Sequence, residues 1–178
     1  VIMKIIYYIK ANIKFVWEDW KTGFDWCEIE EGPLDLKTKS DDSEVVFFDK
    51  RKFQYLLEMK KKDIIVCHSS GFYYMDKKKK LRYKQMSRIV ALGIVAQGGI
   101  FIDKSHKVTF RKILSFPKEI LVSDATEQIP KAEPFTPGSN RFGITKLQTP
   151  EWKLLKTLIT QHNSEKNVAN KIKMIEDC

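Results

Sequence analysis

The stretch Lys61-Lys62-Asp63-Ile64-Ile65-Val66-Cys67-His68-Ser69-Ser70 decides how this chain folds. A charged turn leads into an apolar run with no polar alternation, and Ser69-Ser70-Gly71 closes it. Such a run reads as a strand covered on both faces. Arg88–Ala96 (RIVALGIVA) has the same character and reads as the strongest strand, closed by Gly98-Gly99, with Ile100–Ile102 and Lys107–Leu114 following as further strands. Ile2–Ile9 supplies a first strand rich in β-branched and aromatic residues. Between these, Phe72–Met75 and Lys77–Lys80 make a projecting hairpin or loop.

Working outward, helical patterns lie at the periphery. Phe53, Leu56 and Leu57 lead into a short helix ending near Lys60-Lys61-Lys62-Asp63. Thr149-Pro150-Glu151-Trp152 opens another through Ile159, with Thr149 as N-cap and Pro150 at the first helical position. Ser115-Phe116-Pro117-Lys118 and Pro130–Pro137 read as irregular, and Glu28–Ser43 as a polar loop. Strands in the middle with helices at the edges predict an α+β fold, a small mixed β-barrel flanked by helices. The 178 residues suit one domain over 1–160, with 161–178 as a C-terminal helix or a linker to an effector domain.

Charge is uneven along the chain. The net +9 is matched by the segment Lys50–Arg88 alone, where thirteen Lys/Arg face only Glu58, Asp63 and Asp76. Between Glu18 and Glu44 ten acids face Lys21, Lys37 and Lys39. A basic face attracts phosphates by releasing counterions; the plain alternative is a solvated lysine-rich surface. Cys27, Cys67 and Cys178 are odd in number and far apart, so neither a zinc ribbon nor a disulfide framework is indicated. No apolar run approaches the roughly 20 residues that span a bilayer. No membrane partner is expected, and the chain reads as cytoplasmic.

Several motifs carry a resemblance. Lys61–Ser70 resembles the turn and central strand of the EVE branch of the PUA-like superfamily, whose relatives include YTH and ASCH domains. Ile89–Val95 is similar to that family's next strand, and Asp103 with Val108–Phe110 fits the hairpin after it. Ser139-Asn140-Arg141-Phe142-Gly143-Ile144-Thr145-Lys146-Leu147, followed by Thr149–Trp152, resembles the closing strand and helix of EVE-like specificity modules in modification-dependent restriction systems. Two positions depart: Lys62 stands where the family has Gly, and His68 where it has an aromatic residue. The resemblance implies a DNA-specificity domain of a McrBC-type system that flips a methylated or hydroxymethylated base into an aromatic pocket. Its partner would be double-stranded DNA, or alternatively methylated RNA, with the nuclease or NTPase on another domain or subunit.

Reading a base outside the helix needs a ring to stack on, a polar edge and cations for the flanking phosphates. Trp17, Trp20, Phe24 and Trp26 can supply rings, each stack being worth about 1–3 kcal/mol; the alternative is that they fill the core. His68, Ser69 and Ser70 end the central strand, where a hydroxyl can reach a base edge, although a lone histidine there more commonly makes a structural hydrogen bond. Asn140 can bond a base edge and Arg141 a phosphate, or Asn140 can satisfy its own turn. Lys77, Lys78, Lys79, Lys80, Arg82 and Lys84 would track phosphates.

Catalysis is not expected, and neither a cofactor nor a metal is implied. Glu58-Met59-Lys60 with Asp49 upstream has the residue types of a Mg²⁺-dependent nuclease core, but it falls at the end of an apparent helix in a lysine-rich run. No deaminase, P-loop or nucleophile-elbow pattern is present, and His68, His106 and His162 are isolated.

Overall fold

The computed structural model describes residues 3–11, 25–26, 55, 58–102, 105–136 and 144–178. Its centre is formed by two apolar strands running parallel, β1 (Ile6–Ala11) and β3 (Ile64–Met75), in register from Ile6 opposite Ile64 to Ala11 opposite Ser69. The long strand β4 (Leu81–Ile102) returns antiparallel against β3, and β5 (Ser105–Leu121) pairs antiparallel with β4. Two short strands finish the edges: β2 (Asp25–Trp26) on β5 and β6 (Ile144–Leu147) on β1. Among the described residues the result is a six-stranded mixed sheet in the order β2-β5-β4-β3-β1-β6.

Strand side chains alternate between faces, and both faces here are buried. Ile6, Tyr8, Ile64, Val66, Leu92 and Ile94 join a core with the helices, whereas Tyr7, Ile9, Ile65, Cys67, Ala91 and Val95 join a second core with Met59 and Ile144. This explains why the central strands read as continuous apolar runs. The helices α1 (Val122–Gln128), α2 (Thr149–His162) and α3 (Lys166–Asp177) supply the first core through Ala125, Trp152, Leu155, Ile159, Val168, Ile172 and Ile175. Burying each Leu, Ile or Val among them contributes about 1.5–3 kcal/mol. Residues 166–177 form a helix packed on this core.

Four local expectations change. The strand expected to close at Gly98-Gly99 continues through them, because register shifts between Val95, Gln97 and Ile100 absorb the glycines as bulges. Ser115–Lys118, expected to be irregular, lies within β5. There Ala91 faces Ser115 while Ile89 faces Ile120, so Val90 alone stands opposite residues 116–119 and Pro117 sits in the bulge. The backbone freed by that bulge is satisfied from the end of α2: the Lys118 N–H donates to Asn163 Oδ1 at 2.7 Å, and Asn163 Nδ2 donates to the Lys118 carbonyl at 3.0 Å. Helix α1 forms where no helix was expected from the sequence. Finally, the N-cap of α2 is Gln148 and not Thr149, because the Glu151 carboxylate accepts the Gln148 N–H at 2.9 Å and fixes the start one residue earlier.

The turn before β3 takes a left-handed backbone at Lys62, with φ 77°, which costs a Cβ-bearing residue about 1–2 kcal/mol. Asp63 offsets it: Oδ2 accepts from the Lys60 N–H at 2.8 Å and Oδ1 from the Ile5 N–H at 3.2 Å. Lys62→Gly should raise the stability by about 0.5–1 kcal/mol, and Asp63→Ala should lower it by about 1–3 kcal/mol through two orphaned amides. Chemical denaturation of both variants checks the pair; equal midpoints for Lys62→Gly and wild type would show that the turn is unstrained.

Candidate nucleic-acid interface

The strand end that the sequence marks as a pocket rim is split between two faces. His68 is 2% exposed and its Nδ1 shares a hydrogen bond of 2.5 Å with the Tyr8 hydroxyl. The two rings meet edge-on at 5.4 Å, and Tyr8 packs in the same way against Phe135. Tyr8 and Phe135 belong to the helix-covered core, so the His68 ring points there. Ser69 is equally buried, but alternation sends its side chain to the opposite face with Cys67. Ser70 follows in β3. The structure thus does not bring His68 and Ser69 together on one surface.

Burial, and secondarily the Lys10 charge, pulls the His68 imidazole down to about 3. Burial likewise pushes the Tyr8 hydroxyl well above the ordinary phenol range. The neutral ring keeps one nitrogen on Tyr8, while Nε2 is buried without a hydrogen-bond partner among the described residues.

The face opposite the helices carries a group that the sequence reading did not assign to the site. Tyr7 and Tyr55 lie 6.3 Å apart between ring centres, and the Lys146 ammonium sits 4.6 Å from the Tyr55 ring and 5.8 Å from the Tyr7 ring. Lys146 makes a close ion pair with Glu58. The Tyr55 hydroxyl donates to both Glu133 carboxylate oxygens at 2.9 and 3.1 Å, and the Lys146 N–H donates to Glu133 at 3.1 Å. Burial, followed by the charges of Glu58 and Asp63, pushes the Tyr7 hydroxyl well above its ordinary value. Two rings flanking a cation are a cation–π arrangement already filled by the chain's own lysine. The available signal was the Tyr7-Tyr8 pair, since adjacent strand residues must face opposite sides. Glu58, the acid of the E-x-K triplet, is helical and engaged with Lys146.

The expected phosphate-binding residues cluster on the β3–β4 hairpin. Lys77, Lys78, Lys79, Lys80, Arg82 and Lys84 are all exposed, and no ion pair among the described residues engages Lys77–Lys80. Arg82 is held by Asp76 at 3.0 Å. Among the aromatic candidates, Trp26 lies in β2 opposite Phe110. Trp17, Trp20, Phe24, Asn140 and Arg141 lie outside the described residues.

The His68 environment gives a pH signature. Between its ordinary value of 6.5 and about 3 the unfolded chain takes up a proton that the folded chain refuses. Stability from this group is therefore full above pH 6.5 and declines as the pH falls toward 3. Urea midpoints at pH 7 and pH 4.5 should drop further for the wild type than for His68→Phe, which keeps a ring but cannot titrate. Equal drops would disprove the assignment.

No protein-family profile and no curated protein matches the sequence, but solved structures match the fold. A hypothetical protein from Leishmania major superimposes with TM-score 0.59 and 10% identity, over 89% of this chain and 96% of that one. The DUF55 domain of human thymocyte nuclear protein 1 gives TM-score 0.53 and 13% identity, over 86% and 98%. Human THYN1 protein in complex with 5-methylcytosine-containing DNA gives TM-score 0.51 and 11% identity, over 91% and 99%. At such identities the likeness establishes the architecture alone: this chain has the α+β fold of the DUF55 domain of human thymocyte nuclear protein 1.

Proposed function

We propose that this chain is a non-catalytic reader of modified DNA, the specificity domain that directs a separate nuclease or NTPase to methylated or hydroxymethylated sites. The observation that carries the reading is the basic β3–β4 ribbon standing on an EVE-like sheet. The same fold in human THYN1 is seen with 5-methylcytosine-containing DNA. Lys77–Lys80 and Lys84 supply the cations that duplex binding needs. The base itself would be flipped toward the aromatic segment of Trp17, Trp20, Phe24 and Trp26, where stacking offsets the few kcal/mol of unstacking. Ser69, on the sheet face away from the helices, lies on the same side as the Tyr7–Tyr55 pair. A modification-dependent restriction system of the McrBC type is the setting that this chemistry and the sequence resemblance favour. Within the described residues no helix is long and apolar enough to cross a membrane.

The test is a titration of labelled duplexes identical except for one cytosine, 5-methylcytosine or 5-hydroxymethylcytosine. Tighter binding of one modified duplex is expected, and equal affinities for all three would sink the proposal. Replacing Lys77–Lys80 by alanine should weaken every duplex alike. It should also reduce the slope of log K against log salt by about 0.9 for each phosphate that is no longer neutralised.

A further inference from the structure

The β3–β4 ribbon leaves the body of the protein. The last β1 pair on β3 is Ala11 with Ser69, and the β4–β5 pairs begin at Arg88 opposite Leu121. Beyond them, among the described residues, Gly71–Met75 and Leu81–Gln85 pair only with each other, so a two-stranded arm extends roughly 20 Å at about 3.3 Å per residue. Isolated ribbons of this kind are marginal, and here the tip is built to hold its shape. Asp76 Oδ1 accepts the Lys78 and Lys80 N–H groups at 2.8 and 2.9 Å, and Oδ2 accepts from Arg82 Nε at 3.0 Å. Lys79 takes the left-handed turn position at φ 56°, and its N–H donates to the Asp76 carbonyl at 2.9 Å. The Lys80 N–H, then the Arg82 guanidinium, holds the Asp76 carboxyl below its usual range.

At the outer end of this arm Met75 and Leu81 stand directly opposite each other, 61% and 66% exposed. Partners across an antiparallel pair project on the same face, so the two side chains form one apolar tip rather than scattered exposed residues. Four lysines follow it in the connecting turn, and duplex DNA matches both features. Apolar side chains such as Met and Leu enter between base pairs from the minor groove and kink the helix, while flanking cations hold the phosphates. A lipid surface matches poorly, because Lys77–Lys80 lie beyond the apolar pair. Sinking Met75 and Leu81 into a bilayer would carry four ammonium groups deeper still.

We propose that the ribbon enters the minor groove and that Met75 and Leu81 wedge between base pairs there, with Lys77–Lys80 on the neighbouring phosphates. This rests on the DNA-reading function above and adds a second contact to it. With the read base taken at the root of the arm, where Ser69 ends the central part of β3, the opened step should fall within about six base pairs of it, at ~20 Å of arm and ~3.4 Å per base pair.

The experiment uses the whole chain and duplexes with one 5-methylcytosine and 2-aminopurine placed at successive positions. The wild type should raise fluorescence at one step within that window. Met75→Ser/Leu81→Ser should abolish the rise and weaken binding at least about tenfold, while keeping the ratio of methylated to unmethylated affinity. The swap Met75→Leu/Leu81→Met should restore both, and thermal melting confirms folding of each variant. A serine variant that retains the signal and the affinity overturns the wedge, as does a wild type that selects methylated DNA without opening any step. Loss of methyl selectivity with the wedge signal intact instead overturns the reading function alone. Binding to phosphatidylserine vesicles that the serine variant abolishes, with DNA binding unchanged, would assign the tip to membranes and overturn the wedge.

Discussion

One buried carboxylate fixes the register on which the rest of the sheet depends. Asp63 is 6% exposed, and its two oxygens take the amides of Ile5 and Lys60. Its own amide donates to the Lys60 carbonyl at 3.0 Å, and its carbonyl accepts from Val95 at 2.9 Å. The Lys62 amide closes the same junction on the Val95 carbonyl at 2.8 Å. A single residue thus ties the turn after the helical residues Tyr55 and Glu58 to β1, β3 and β4. A slip of one residue at this point would exchange every side chain between the two cores. Tyr7 would then face the helices, and the partner of His68 would leave it.

With the register fixed, the sheet separates stabilising from exposed chemistry. The helix side is closed by α1, α2 and α3, and its polar pair, Tyr8 and His68, is enclosed there as neutral groups. The other side carries Tyr7, Tyr55 and Lys146 tied to two glutamates, with Lys146 and Glu58 partly open to solvent. The β3–β4 ribbon departs where these constraints stop, after Ser69 and before Arg88. Its shape is maintained locally by Asp76 and no longer by the core. Each layer therefore has its own source of order, so changes at the ribbon tip can alter binding without altering the fold.

Much of this was legible in the sequence wherever a single local force dominates. Ile64–Cys67 and Arg88–Ala96 announce doubly covered strands by unbroken β-branched runs. The charge at Lys77–Lys80 announces an exposed tip, which proves to be a hairpin. Elements that depend on distant partners were not legible. Pro117 and the Gly98-Gly99 pair look like strand breakers, yet bulges accommodate them, and Asn163 at the end of a helix satisfies the Lys118 backbone. The burial of Val168, Ile172 and Ile175 depends on the same tertiary packing. Trp17, Trp20 and Phe24, the proposed stacking residues, lie in the acid-flanked segment that follows neither strand nor helix periodicity.

The two positions at which the chain departs from the family pattern its sequence resembles sit six residues apart on the same turn and strand, and they differ physically. Lys62 occupies a left-handed backbone position that glycine fills without strain, so the substitution costs stability and leaves a cation at the edge of the sheet. His68 stands at an aromatic position and keeps the function of a ring there. Its edge-on contact with Tyr8 at 5.4 Å continues through Tyr8 to Phe135. What the imidazole adds is the bond from Nδ1 to the Tyr8 hydroxyl, which would otherwise be a buried, unsatisfied phenol. That gain is partly offset by Nε2, which lacks a partner among the described residues and whose burial costs about 1–3 kcal/mol. The exchange is thus close to neutral at neutral pH and unfavourable in acid, where the ring must stay uncharged to remain folded.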